Sequence, residues 1–234
     1  MPHMLTFDLI ATNPPFVISP ATGERLVYRD SGLPGDQVVA EIVRGAPDRL
    51  NPGGWCQILA NWAIVDGEPW TQRLESWLDD RVDSYMVQRE VLDPAAYVEL
   101  WLKDAGRHGA PDYLQRYDAW LAWLAGQRIE GIGFGWINLR ARDSSGAPVR
   151  QSVDWPYAVE QPIAWAVAGW AEGAAAAAWS DRQPLAARLL LRSDVTQQTD
   201  GPPGAADPAA IVLRQQRGLR RARTVDTALA GLAG

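Results

Sequence analysis

The stretch Asp8-Leu9-Ile10-Ala11-Thr12-Asn13-Pro14-Pro15-Phe16 decides the fold. With Leu5-Thr6-Phe7 ahead of it, its first half is a short apolar run of the kind that forms a buried strand, and it stops where prolines forbid further ladder hydrogen bonds. A strand therefore opens the chain. After a loop containing Gly and Pro, Asp36 can cap a helix in which Val39, Ile42, Val43 and Ala46 recur at i, i+3, i+4 and i+7. Asn51-Pro52-Gly53-Gly54 then reads as a turn into a second apolar run, Trp55 to Ala60. The order is strand, helix, strand.

The alternation continues. Pro69 suits the first turn of a helix that carries Trp70, Leu74, Trp77 and Leu78 on one side, and Val82 to Val87 follows as a strand. Asp93-Pro94 opens another helix with Tyr97 and Trp101 one turn apart, and Leu114, Tyr117, Leu121 and Leu124 mark a further amphipathic stretch. From Ile129 to Leu139 the period changes to two: Ile132, Phe134 and Trp136 face one way, Gly133 and Gly135 the other. Asp143-Ser144-Ser145-Gly146 can return the chain into Val149, Gln151 and Val153, which predicts an antiparallel hairpin at the end of a parallel sheet. Past Pro156 the composition shifts to an alanine-rich helix (Ile163 to Trp179), a loop around Gly201-Pro202-Pro203-Gly204 and an Arg-rich end. The expected division is residues 1–157 and 158–234, the second part being a small, winged-helix-like α+β unit.

Composition narrows the function. A chain of 234 residues with 47% hydrophobic and 21% charged residues can bury a core. The longest apolar runs are interrupted well short of the roughly 20 residues that cross a bilayer, which gives the expectation of a soluble, cytoplasmic protein without a membrane partner. Cys56 is the sole cysteine and His3 and His108 the two histidines, so disulfide and metal chemistry are disfavoured. A formal charge of −6 argues against a surface given over to nucleic acid. The twelve tryptophans recur mostly at helix or strand spacing and read as packing. Internal glycines 131, 133 and 135 sit in a strand pattern, so they read as bends or close packing.

The strand that feeds Asn13-Pro14-Pro15-Phe16 resembles motif IV of class I methyltransferases that modify planar nitrogens: adenine N6, guanine N2, or the side-chain amide of glutamine. Ala46 to Gly54 resembles the link into strand five of that fold, and Tyr28 to Asp36 resembles the loop after the motif in HemK-like glutamine methyltransferases. Such a nitrogen attacks a methyl group poorly because its lone pair is delocalised. The Asn13 side-chain carbonyl and the Pro14 backbone carbonyl can each accept one of its N–H groups, stabilising the charge that builds there. The prolines Pro14 and Pro15 stiffen the acceptors, and Phe16 offers a face for stacking. The resemblance therefore implies catalytic roles for Asn13 and Pro14, substrate contacts from Pro15 and Phe16, S-adenosylmethionine as cofactor with Asn13 beside it, and a release factor, RNA or DNA as methyl acceptor. It spans about residues 5 to 155 and implies the C-terminal half of a Rossmann-like sheet, strands four to seven, of an α/β fold.

The departure from the family is as clear. Its Gly-rich turn and the acidic residue that holds the ribose belong to strands one and two, ahead of residue 5, so the expectation is a piece of a longer enzyme whose isolated activity is low. A different class stays open, a non-catalytic binding module derived from a methyltransferase. Near the end Arg214, Arg217, Arg220, Arg221 and Arg223 form a dense positive cluster, either a solvated face or a contact for phosphates or carboxylates, with Arg220 and Arg221 as the substrate-side candidates.

Overall fold

The run ahead of the prolines is a strand, β1 (Phe7–Thr12), and it lies at the edge of a sheet. The computed structural model describes residues 5–20, 31–142, 146–176, 179–180, 182–188, 190–204 and 207–233. The chain divides into two units, Met1–Trp155 and Pro156–Gly234.

In the first unit β1 is followed by α1 (Gln37–Gly45), a 3-10 turn (Ala46–Arg49), β2 (Leu50–Val65), α2 (Trp70–Glu75), β3 (Val82–Leu92), α3 (Pro94–Asp104), α4 (Tyr113–Gly126), β4 (Ile129–Ala141) and β5 (Arg150–Asp154). The strand order is β1-β2-β4-β3-β5. β1 and β2 are parallel, β4 is antiparallel to both β2 and β3, and β5 runs parallel to β3, so β4 alone opposes the other strands. One face packs Cys56, Ile58, Trp62, Met86, Ile137 and Leu139 against Val39 and Val43 of α1 and Leu74 of α2. The other packs Ala63 and Ile132 against Tyr97 and Trp101 of α3 and Trp120 and Leu124 of α4. The result is a mixed sheet between two helical layers, each held by apolar burial.

The expected hairpin does not form. β4 is a central strand, inserted between β2 and β3, and β5 pairs with β3 instead; residues 143–145 of the expected turn lie outside the described residues. The glycines of β4 explain its place. A Cβ on Gly133 would collide with Trp62 Nε1 and lie 2.5 Å from Gln88 Oε1. One on Gly135 would collide with the Val87 carbonyl and lie 2.7 Å from Trp62 Cη2. The Trp62 indole thus lies across β4 where side chains are missing, stacked on Trp70 at 5.6 Å, and donates from Nε1 to Gln88 (2.9 Å). Five residues of β5 need only one neighbour, whereas thirteen residues of β4 complete two ladders.

Three smaller expectations change. Asn51-Pro52-Gly53-Gly54 is the irregular start of β2, not a turn ahead of it: a Cβ on Gly54 would lie 2.9 Å from the Phe7 carbonyl, so glycine lets β1 approach, and Asn51 donates to Asp8 at 2.8 Å. Pro69 precedes the first residue of α2, where its extended backbone leads into the helix. Asp36 sits at the start of α1, but its carboxylate makes no cap hydrogen bond there because stronger donors claim it. Asp93 does cap α3, accepting from Ala96 N–H at 2.9 Å, with Pro94 in the first turn.

The second unit holds the three-stranded antiparallel sheet β6 (Val195–Asp200), β7 (Ala210–Gln215) and β8 (Ala222–Val225), preceded by α5 (Ala164–Ala175) and α6 (Arg182–Ala186) and followed by α7 (Thr227–Ala233). The alanine-rich helix is shorter than expected, and residues 177–178 lie outside the described residues. Trp165 of α5 meets the backbone of Gly218, where a Cβ would lie 2.6 Å from the ring, and the Arg192 guanidinium stands 4.5 Å from its centre. Gly218 has φ +67°, so both its conformation and its neighbour require glycine.

Replacing Gly135 by Ala should cost about 1–3 kcal/mol of stability, the usual penalty for overpacking, because backbone oxygen cannot retreat as a side chain can. Urea unfolding monitored by circular dichroism measures it; an unchanged midpoint would mean that the indole does not lie on β4.

Candidate functional site

The candidate site starts where β1 ends. Thr12 is level with Ile58 of β2, so Asn13 leaves the sheet at the carboxyl end of β1, where α/β sheets present their ligand-binding turns. Asn13 is exposed, Pro14 is buried, and Pro15 and Phe16 are half-buried. The Phe16 ring stands edge-on to Trp101 at 6.3 Å, 69° between planes, and packs against both core clusters. Part of its surface is therefore spent on the core and part remains open.

The residues after Phe16 explain how the motif is held. Val17, Ile18 and Ser19 are buried although they belong to a connection. Buried backbone polar groups must be paired. Ile18 N–H donates to Tyr97 Oη at 2.8 Å, and the Ile18 carbonyl accepts from Trp120 Nε1 at 3.0 Å. The buried Asn61 side chain donates to the same Tyr97 oxygen at 3.3 Å, and the Ser19 carbonyl accepts from Gly35 N–H at 3.1 Å. A tyrosine on α3, a tryptophan on α4 and an asparagine on β2 thus clamp the backbone two residues beyond Phe16. Tyr97 is itself fixed among Trp101, Trp120 and Phe134, with ring centres 5.8–6.3 Å away.

A second anchor closes the far end of the connection. Asp36 Oδ2 accepts from Ala63 N–H (3.0 Å) and Arg73 Nε (3.0 Å), and Oδ1 accepts from Arg73 Nη2 (2.9 Å). The bidentate pair outcompetes a neutral cap bond, which is why Asp36 does not cap α1. Burial works against the Arg73 charge, but the hydrogen bond and charge of Asp36, joined by Glu68 at 3.4 Å, hold its pKa above the ordinary value. Ala63 lies beyond the part of β2 that β1 covers, so Asp36 satisfies a donor on an otherwise strand-free edge.

The sequence-derived candidates do not all belong to one unit. Asn13, Pro14, Pro15 and Phe16 lie in the first. Arg220 and Arg221 lie in the second, in the connection between β7 and β8, with Arg214 on β7 and Arg223 on β8. The positive cluster is thus on strands and a turn, and Arg220 takes φ +52° there. Of the resemblance around Tyr28 to Asp36, Tyr28, Arg29 and Asp30 lie outside the described residues. Tyr97, Trp120 and Asn61 were absent from the candidate set; the signal for Tyr97 was a hydroxyl on an apolar helix face, which when buried needs a partner.

Burial pushes the Cys56 thiol up to about 11, so it is protonated at neutral pH and is a packing residue. Among the described residues there is no cluster of His, Cys, Asp and Glu that could hold a metal, and no helix long and apolar enough to cross a membrane. A cavity of about 320 Å³ lined by Pro47, Leu50, Pro52, Asp80, Arg81, Ala141 and Arg142 lies at the opposite end of the β1–β2 pair from Asn13. Its Arg81 is paired with Asp48 and Asp79. Gly133 and Gly135 of β4 are filled by the Trp62 indole and make no cradle for a cofactor.

No protein-family model matches the chain, and no curated protein matches it in sequence. Among solved structures it is similar to one titled the crystal structure of the [4+2]-cyclase SpnF, at 13% identity and a TM-score of 0.32, over 62% of this chain and 53% of that one. The chain thus spans about half the length of that protein.

Tyr97→Phe should strand the Ile18 N–H and the Asn61 amide, costing about 1–3 kcal/mol and speeding amide exchange at Ile18. Mass-spectrometric hydrogen exchange on the segment 14–20 reads this directly; protection equal to wild type would remove the clamp.

Proposed function

We propose that this chain carries the acceptor-holding part of an S-adenosylmethionine-dependent N-methyltransferase acting on a planar amino or amide nitrogen. The observation that carries the reading is the placement of Asn13: exposed, at the carboxyl end of a parallel edge strand, ahead of a buried proline and a clamped backbone. The reading is also supported by a sheet in which β1, β2, β3 and β5 run the same way and only β4, between β2 and β3, opposes them, although the expected terminal hairpin is not formed. A loop held this firmly is pre-organised, and orientation of this kind supplies rate without covalent chemistry.

The Asn13 side-chain oxygen accepts one N–H of the target, and the Pro14 carbonyl accepts the other. Both polarise the N–H bonds towards a nitrogen that is otherwise conjugated, and both stabilise positive charge developing on it as it attacks the methyl group. Pro15 fixes the following backbone, and the open side of Phe16 stacks on the acceptor plane. The role assigned to this chain is holding and orienting the nitrogen, with Asn13 beside the cofactor. Glutamine is preferred over a nucleic-acid base because the formal charge of −6 opposes a polyanionic acceptor; Arg220 and Arg221 are then a contact to an acidic surface of the acceptor protein.

One observation favours a second reading. Gly133 and Gly135 are packed by the Trp62 indole and serve the core, which fits a module that recognises its partner without catalysis.

The test is methyl transfer to release factor, ribosomal RNA, transfer RNA and DNA, assayed with the 234-residue chain and with any longer form of it. Asn13→Ala should lower turnover by about 10²–10³, as loss of one charge-stabilising contact does, without changing the melting temperature. Isothermal titration of the 234-residue chain with S-adenosylmethionine should give no micromolar binding; such binding would show that the cofactor is held by these residues after all. Turnover untouched by Asn13→Ala would refute the acceptor role.

A further inference from the structure

We infer that Arg89 is a carboxylate-binding residue of the same site, placed to take an acidic group on the acceptor; this rests on the acceptor-holding role of Asn13 proposed above. Arg89 stands on a bulge of β3, where Gln88 is level with Gly135 and Glu90 with Phe134, so one residue is left out of the ladder. Bulges re-aim a side chain, and they gather beside functional sites. Here the bulge swings a guanidinium over the ring of Trp136, 5.1 Å from its centre.

The guanidinium is incompletely satisfied. Arg89 is half-buried, its Nε is buried without a hydrogen-bond partner, and no carboxylate pairs with it among the described residues. At the opposite end of the β3–β4 ladder three arginines do have acids: Arg81 has Asp48 and Asp79, Arg142 has Asp83, Arg150 has Asp80. An unmade bond to a buried charged donor is costly, and stacking on an indole offsets only part of that cost. An oxyanion that meets the Nε edge would complete the site.

Position ties Arg89 to Asn13. Trp136 faces the side of the sheet that carries Phe134 and the α3–α4 layer, and its ladder partner on β2 is Leu59. Leu59 in turn follows Ile58, the residue level with Thr12 at the end of β1, so it is the first residue of β2 past the point where Asn13 leaves the sheet. The backbone of Trp136 is therefore two strand spacings from the end of β1, about 10 Å. Leu59, one residue past the stretch of β2 that β1 covers, is 41% exposed, so the α3–α4 layer does not close this ground. Leu59 and Trp136 thus form an apolar floor with a hydrogen-bonding turn at one end and an unpaired cation at the other. That floor suits an aliphatic side chain or a short peptide, with a carboxylate at one end and the target amide at the other. A phosphodiester fits the cation equally but not the floor, and the chain's negative charge opposes it.

The Arg89 Nε–H resonance of the nitrogen-labelled 234-residue chain provides the test, titrated with four small probes. N-acetyl-glutamate N-methylamide represents an acidic side chain, N-acetylglycine a chain terminus, dimethyl phosphate a nucleic-acid backbone, and N-acetyl-glutamine N-methylamide is neutral. One of the two carboxylates should shift the resonance saturably and bind at least about tenfold tighter than the neutral amide, the size of one charge-assisted hydrogen bond; which one does so identifies the source. Arg89→Lys should keep the fold and lose most of that preference, and Asn13→Ala should keep the preference while weakening the amide probe. Equal binding of charged and neutral probes, or tighter binding of dimethyl phosphate, overturns the inference. Loss of amide binding in no variant, with the carboxylate preference intact, would instead count against the role of Asn13 and leave Arg89 standing.

Discussion

The side chain of Trp62 fits because β4 carries glycine at 133 and 135, and the architecture of the first unit follows from that accommodation. An indole that lies flat across a strand needs two successive same-face positions without Cβ atoms. Those positions exist on β4 alone, so β4 must be the strand beside β2, and β3 must take its other edge. Trp62 also binds Gln88 of β3, and Gln88 donates onward to Asp154 at the end of β5 (2.7 Å). One aromatic residue on β2 is thereby linked through hydrogen bonds to the last two strands. Such a junction is stiff, since a buried indole N–H and a buried amide both have their partners.

The stiffness matters at the end of β1. That strand is supported by β2 alone among the described strands, and Phe7 and Leu9 on it are exposed. A weakly supported strand could not by itself hold the turn that follows to a fixed geometry. The connection is held from the far side instead, by Tyr97 and Trp120 on helices that pack on the opposite face from Trp62. Asn61 lies next to Trp62 in sequence and faces that other layer, where it donates to Tyr97. Adjacent residues of β2 therefore serve the two faces, one fixing strand order and the other fixing the loop, as the alternation of a strand allows.

How much of this was legible in the sequence depends on whether the deciding force is local. The strand before Asn13 was legible because prolines end a ladder wherever they occur. The Asp93-Pro94 start of α3 was legible because a cap acts on the next three residues. Asp36 looked the same by local rules and behaves differently, because Arg73 lies 37 positions away in the sequence and offers two charged donors. The period-two pattern of 129–139 established a strand, but strand neighbours are a matter of distant partners. A turn signal at 143–146 suggested the near partner, while the glycine pair, read only as close packing, had already selected the far one. Arg89 was invisible for a related reason: the expected strand stopped at Val87, short of it, and a bulge leaves no mark in composition.

The division of labour between Asn13 and Arg89 has a physical logic independent of which acceptor is held. Asn13 sits on an exposed turn in contact with solvent, where a neutral hydrogen-bond acceptor competes poorly with water and gains its effect from being stiff. Arg89 sits on the sheet, half-buried over an indole, where a charge is worth more because less water screens it. Under the proposed roles, affinity is concentrated at the drier end of the floor, and chemistry at the wetter end is left to geometry. A turn built from two prolines and clamped two residues later is suited to that part: its acceptors need not bind strongly, since a ligand anchored at Arg89 would be brought to them at high local concentration.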